Sequence, residues 1–218
     1  MLLTDAQIRQ EIENGLFTLE PFSDFCLQPA SYDLRVGDSA FTSSSREKVP
    51  LSRTGMIRIE PGEFAVVETL ERVSFGNQMA AQLGLRSEYA RRGLLMLSGP
   101  QVDPGFKGVL IVRLINLAPI PIVLPHKEPF LTTQFFRLHE PVSGPYAGPY
   151  QDQHGISARD IQELTQTEGL TLGEVIKTLS ALARDVAELR GSVSRLSWFV
   201  PLIIGIGMAV VAIIVALK

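Results

Sequence analysis

Arg86, Ser87 and Arg91 stand close together in Leu85-Arg86-Ser87-Glu88-Tyr89-Ala90-Arg91-Arg92-Gly93. If they open a turn or short helix, two guanidiniums, a hydroxyl and backbone N–H groups can converge on a phosphate. A solvated basic turn would show the same residues. Asp103 sits in Val102-Asp103-Pro104-Gly105-Phe106, a turn sequence on any reading. An aspartate there either forms the turn or, facing a pocket, serves as a general base. Three more segments stand out: Gln28-Pro29-Ala30-Ser31-Tyr32-Asp33-Leu34-Arg35, Thr133-Gln134-Phe135, and Tyr150-Gln151-Asp152-Gln153-His154-Gly155. Zinc-dependent deamination needs a His or Cys with a Glu two residues on and a Pro-Cys-x-x-Cys pair. Cys26 is the only cysteine, and His126, His139 and His154 lack metal-ligand spacing, so zinc is not expected. No P-loop, dinucleotide-binding glycine pattern or nucleophilic serine elbow is present.

The elements that must position these residues follow from periodicity. Thr4 and Gln7 make a capping box, Ile8 and Ile12 repeat at i, i+4, and Gly15 stops the helix. From about residue 27 to 139, short apolar or alternating runs are divided by Pro and Gly: SYDLRV, GMIRIE, EFAVVETL, GVLIVRLIN, IPIVL and TTQFFRL. These predict an all-β domain of many short strands. Ser43 to Lys48 reads as an exposed loop, and 141–150 (PVSGPYAGPY) as a Pro/Gly-rich connector.

Beyond residue 157 the pattern is helical. Thr171 and Glu174 form a second capping box. Leu172, Leu179, Val186 and Val193 fall on heptad a positions, and Val175, Leu182, Leu189 and Leu196 on d. The spacing predicts a coiled-coil stalk, with an amphipathic helix packed on its own domain as the alternative. Trp198 to Leu217 contains no charge and at 1.5 Å per residue spans about 30 Å, a bilayer core. It predicts a C-terminal transmembrane helix, against a buried core helix as the alternative. Arg184, Arg190 and Arg195 before it favour an N-terminal domain in the cytoplasm. The polar N-terminus does not read as a signal peptide. A net charge of −3 argues against a general nucleic-acid binder, and a lone cysteine suits a reducing compartment. The expected organisation is 1–156 as a β domain, 157–197 as a helical stalk and 198–217 as the span.

In order and spacing the five segments resemble the dCTP deaminase/dUTPase superfamily, its dCTP deaminase branch most closely, over about residues 1–159. The resemblance implies a mainly β fold, a distorted β-barrel or jelly-roll (β-clip) with a short N-terminal helix, assembled as a homotrimer with nucleotide sites between subunits. It implies Asp103, Ser87 and Arg91 as the catalytic set, Asp103 activating water. It implies Arg86, Ser87, Phe106, Gln134, Tyr150 and Gln153 around a deoxynucleotide triphosphate, Phe106 beneath the deoxyribose. Asp33 would support magnesium through water, and His154 lies where it can touch ligand.

Three departures matter. Arg113 occupies the position at which deaminases of this family use a glutamate, and a guanidinium cannot relay protons between water and a cytosine ring. Pro149 stands where those deaminases tend to carry a phosphate-binding lysine, and Glu88 brings a negative charge beside Ser87. Val109, Ile111, Arg113 and Ile115 share a strand face, so Arg113 should point into packed or interfacial space, paired with a carboxylate at a subunit interface or binding phosphate or a different ligand. The expected function is a membrane-tethered protein that hydrolyses dUTP or deaminates dCTP. The alternative is an inactive member that senses a nucleotide or scaffolds a membrane complex.

Overall fold

The computed structural model describes residues 1–45, 47–166, 175, 178–191, 193 and 199. Helix α1, Asp5–Glu13, carries both arms of the Thr4/Gln7 capping box, and Gly15 (φ 72°) follows it. The strands are β1 Phe17–Glu20, β2 Leu27–Gln28, β3 Ser31–Thr42, β4 Lys48–Pro50, β5 Met56–Ile59, β6 Phe64–Phe75, β7 Met79–Leu85, β8 Leu94–Met96, β9 Gln101–Val102, β10 Lys107–Asn116, β11 Ile122–Pro125 and β12 Pro129–Arg137. Helices α2, Leu51–Thr54, α3, Ser87–Arg91, and α4, Ala158–Gln166, complete the described elements up to residue 166. All six predicted strand runs lie on strands. The expected 43–48 loop is cut short because Lys48–Pro50 pairs with β3.

One antiparallel sheet runs β8-β10-β6-β3-β12-β7-β9, with β1 added on β6 and β2 and β4 on β3; β5 and β11 form a separate pair. Strands β3 and β6, each twelve residues, form its centre, and register shifts near Val36/Ala40 and Val109/Ile111 bend it. The core carries a stack of rings, Phe17 on Phe135 at 4.8 Å and on Phe75 at 5.8 Å. Ile8 of α1 is fully buried against it, and Arg137 of β12 reaches Glu11 at 2.6 Å. Cys26 is buried, as its small apolar character suggests.

The chain divides into two compact units, Met1–Gly173 and Glu174–Lys218. Helix α4, which the sequence pattern groups with the stalk, packs on the sheet: Ile156 and Leu164 are buried with Phe41 and Val66, flanked by Ile111 and Ile161. In the second unit, residues 178–191 are helical. Leu172 and Leu196 of the heptad and the Thr171/Glu174 box lie outside the described residues, as does the predicted span 198–217 apart from Phe199. Among the described residues no helix is long and apolar enough to cross a membrane.

An ion pair between the partly buried Arg35 and the fully buried Glu71 locks the two central strands. Glu71 accepts from Arg35 Nε at 2.6 Å and from the Arg35 backbone N–H at 2.8 Å, while Arg35 Nη2 donates to the Pro21 carbonyl at 2.7 Å. Burial pushes the Glu71 carboxyl above its ordinary value, against the pull of these bonds. Arg35→Met is expected to cost about 3–5 kcal/mol at neutral pH, because Glu71 would be left charged and unpaired. A carboxyl whose folded pKa exceeds its unfolded one stabilises at low pH and loses that contribution as pH rises. The Arg35→Met deficit should therefore shrink as pH falls toward the ordinary carboxylate range, measurable by urea unfolding at several pH values.

Candidate functional site

The Asp103 segment is a tight turn. Phe106 N–H donates to the Asp103 carbonyl at 3.2 Å, Pro104 sits at the second position, and Gly105 has φ 86°. A type II turn needs that positive φ at its third residue. The Asp103 carboxylate accepts from Gln101 Nε2 at 2.5 Å, which fixes its direction from the neighbouring strand β9. Phe106 is buried and meets Tyr146 edge-on at 5.6 Å. The 141–150 connector is thus a strap, and Tyr146 N–H also donates to the Pro104 carbonyl at 2.8 Å. Beside this turn lies a cavity of about 490 Å³, lined among others by Asp103, Phe106, Arg113, Tyr150, Gln153 and Asp160.

The Tyr150–Gly155 segment closes that cavity because β10 lets it approach. Gly108 bridges Gln153 in parallel register, and Val109 N–H donates to the Gln153 carbonyl at 2.9 Å. A Cβ on Gly108 would lie 2.9 Å from both the nitrogen and the oxygen of Gln153. Asp152 N–H donates to the Lys107 carbonyl at 2.8 Å, and Gln151 reaches back to the Gly105 carbonyl at 3.0 Å. Arg72 of β6 clamps the segment through the Gln153 carbonyl (3.2 Å), the Asp152 carboxylate (3.2 Å) and His154 Nδ1 (3.3 Å). His154 is placed by Arg72 and does not line the Asp103 cavity. Sequence reading missed Arg72: nothing in its spacing links it to residues eighty positions later.

Arg113 lies on the cavity wall and pairs with Glu163 of α4, which also accepts from Arg159 Nε at 3.0 Å. The Arg113 and Arg159 hydrogen bonds hold the Glu163 carboxyl below its ordinary range. The expected carboxylate partner of Arg113 comes from its own chain, not from across a subunit interface, because α4 packs on the sheet beside β10. Helix α4 begins with its own capping box: Ser157 N–H donates to the Asp160 carboxylate at 2.8 Å, and Asp160 N–H to Ser157 Oγ at 3.3 Å. Ser157 and Asp160 stand at legible capping-box spacing, which sequence reading passed over. Asp160, almost wholly buried, also accepts from Gln153 Nε2 at 3.3 Å.

The remaining predicted site residues gather elsewhere. Asp33 Oδ2 lies 3.0 Å from Arg86 Nε, its Oδ1 accepts from Thr132 Oγ1 at 2.9 Å, and Arg86 Nη1 donates to the Pro129 carbonyl at 3.3 Å. Burial raises the Asp33 carboxyl, with Thr132 and Arg86 opposing. Arg86 precedes α3, and Ser87 and Arg91 are exposed on that helix. Gln134 is in register with Gln82, and Gln82 with Gln101, so three glutamines form one row across β12, β7 and β9. None of Asp33, Arg86, Ser87, Arg91 and Gln134 lines the Asp103 cavity. Both Asp33 oxygens are engaged by protein donors, and no group of three His, Cys, Asp or Glu suited to a metal occurs among the described residues. These residues do not form a protein-ligated magnesium cage, whereas the expected support of magnesium by Asp33 runs through water.

A family model for dCTP deaminase-like proteins matches residues 2–137. This chain belongs to the dCTP deaminase-like family. It is 42% identical over 151 residues to the dCTP deaminase of Pyrococcus horikoshii, covering 69% of this chain and 92% of that protein. It is 34% identical over 177 residues to the dUMP-forming dCTP deaminase of Salinispora arenicola, covering 71% and 92%. The crystal structure of 2'-deoxycytidine 5'-triphosphate deaminase from Agrobacterium tumefaciens shares the fold, with a TM-score of 0.53 at 19% identity over 77% of this chain and 53% of that one. The match to the family model ends at residue 137, before Tyr150, Gln153 and α4. In this dCTP deaminase-like protein, Gly108→Ala is expected to push the Tyr150–Gly155 segment off β10, at about 1–3 kcal/mol of local strain. Chymotryptic cleavage after Tyr150 in the folded protein should rise about tenfold or more; unchanged protection would show that the segment is held without this contact.

Proposed function

We propose that the protein binds a deoxynucleotide triphosphate between subunits and hydrolyses dUTP to dUMP and pyrophosphate. The observation that carries this reading is the charge balance of the cavity. It gathers Asp103, Phe106, Tyr150 and Gln153, the set expected to activate water and hold the nucleoside. Yet its walls contain two carboxylates, Asp103 and Asp160, and one guanidinium, Arg113, already paired with Glu163. A triphosphate needs cations that this wall does not offer. Arg86, Ser87, Arg91 and Gln134 lie outside the cavity, so a second copy is required to bring them to the phosphates. In the proposed homotrimer each site takes Asp103 from one copy and the Arg86–Arg91 helix from another.

Hydrolysis is favoured over deamination by what Arg113 can do. Asp103 can take the proton from water as its oxygen bonds the α-phosphorus, and the bond to pyrophosphate breaks. Deamination needs a group that accepts and returns protons at the cytosine ring. Arg113 stays protonated, and its partner Glu163 is held in the ionised form. Magnesium enters this proposal as a counterion of the triphosphate. The remaining parts are a coiled-coil stalk and a single C-terminal span, residues 198–217, with the β domain in the cytoplasm. The Arg113–Glu163 pair also favours a second reading, a nucleotide-binding member without turnover.

The test uses full-length protein in detergent with magnesium and dUTP or dCTP, products being separated by chromatography. The expected result is dUMP from dUTP, with Asp103→Asn lowering the rate about 100-fold or more. Nucleotide binding by calorimetry without any product would replace hydrolysis by the second reading, and absence of binding would defeat both.

A further inference from the structure

In the helical segment 178–191, Leu179, Leu182, Val186 and Leu189 recur at spacings of three and four, and Val193 continues the series. These five side chains are 55–64% exposed. Single exposed aliphatics need no explanation, but a continuous stripe of them marks a surface meant to be covered. The stripe is narrow. Outside the seam, residues 178–191 carry no apolar side chain larger than alanine (Ala181, Ala183 and Ala187), so a two-in-seven seam of large aliphatics is presented, the shape that fits a like helix.

The charges beside the seam select an orientation. Asp185 occupies a g position and Arg190 the e position of the next heptad, five residues on. Side by side, parallel and in register, the g residue of one helix faces that following e residue of its neighbour. Asp185 of each copy then meets Arg190 of another. In an antiparallel pair g faces g and e faces e, so Asp185 meets Thr178 or a second Asp185, and Arg190 meets Ala183 or a second Arg190. Opposite charges at these positions set partner choice and direction.

We propose that this segment docks on the same segment of other copies of the chain, parallel and in register. Leu179, Leu182, Val186, Leu189 and Val193 form the seam, and the reciprocal Asp185–Arg190 contacts fix direction. The inference stands apart from whether the β domain turns over nucleotide. A seam of this length is marginal for isolated helices, so the contact is expected to work together with association elsewhere in the chain.

Cys26, buried and the only cysteine, permits a clean test in full-length protein carrying Cys26→Ser. Single cysteines are placed at Leu179, Leu182, Val186 or Leu189, with Ala181→Cys as the control facing away from the seam, and membranes are oxidised mildly. Parallel, in-register docking brings each seam cysteine against its own counterpart within disulfide reach. All four seam variants should form disulfide-linked dimers and the control should not. An antiparallel pair would link at most the position nearest the crossing point, and a helix packed on its own chain would link none; either result, or a control that links equally, overturns the proposal. Asp185→Lys should lower the seam yields about twofold or more, and adding Arg190→Asp should restore them. Yields indifferent to both changes would remove the charges from the account.

Discussion

The approach of Gln153 to Gly108 is the contact from which the candidate site is built. A side chain at 108 would occupy the space of the Gln153 backbone, so only glycine lets the 150–155 segment lie along β10 as an added strand-like piece. Once there, the segment brings Tyr150 and Gln153 over the Asp103–Phe106 turn. It also delivers the chain at Ser157, in position to start α4 on the sheet. Arg72 holds the segment from the other neighbour of β10's first residues, through a carbonyl, a carboxylate and an imidazole. Cavity, strap and helix are therefore consequences of one close backbone approach.

The electrostatics follow from the same arrangement. Strand β10 carries Gly108 near its start and Arg113, on the cavity wall, five residues on, and α4 answers Arg113 with Glu163. The cation at this position has a carboxylate partner from a distant part of the chain. Arg86 has likewise been taken up by Asp33 and the Pro129 carbonyl. Two of the arginines that seemed free to hold phosphate in the linear sequence thus have internal partners, and the exposed Arg91 does not face the Asp103 cavity. This distribution is what the proposed sharing of a site between copies rests on.

The buried Arg35–Glu71 pair serves the frame that carries these residues. It joins the Asp33 strand to the Arg72 strand, so Asp33 and Arg72 are indexed to one another through a bond neither contributes to. Its low exposure makes it sensitive to loss of either partner. The Thr132 hydroxyl performs a similar task for Asp33, joining β12 to β3 two residues before Gln134.

Local features were legible in the residues alone. The Thr4/Gln7 box set the start of α1, alternating runs marked six strands, and Asp103-Pro104-Gly105 announced a turn, because each depends on neighbours within a few positions. The heptad of the second unit is of the same kind. The strands that escaped notice, such as β7, with Ala80, Ala81 and Gly84, lack the β-branched and aromatic residues that signal a strand. The tertiary structure alone decided what the charged residues do. Arg113 and Glu163 are fifty positions apart, Asp33 and Thr132 ninety-nine, and Arg72 and Asp152 eighty. No periodicity connects such pairs; they meet because sheet register and the Gly108 approach bring them together, and only then is a cation distinguished as a ligand-holder or as half of an ion pair.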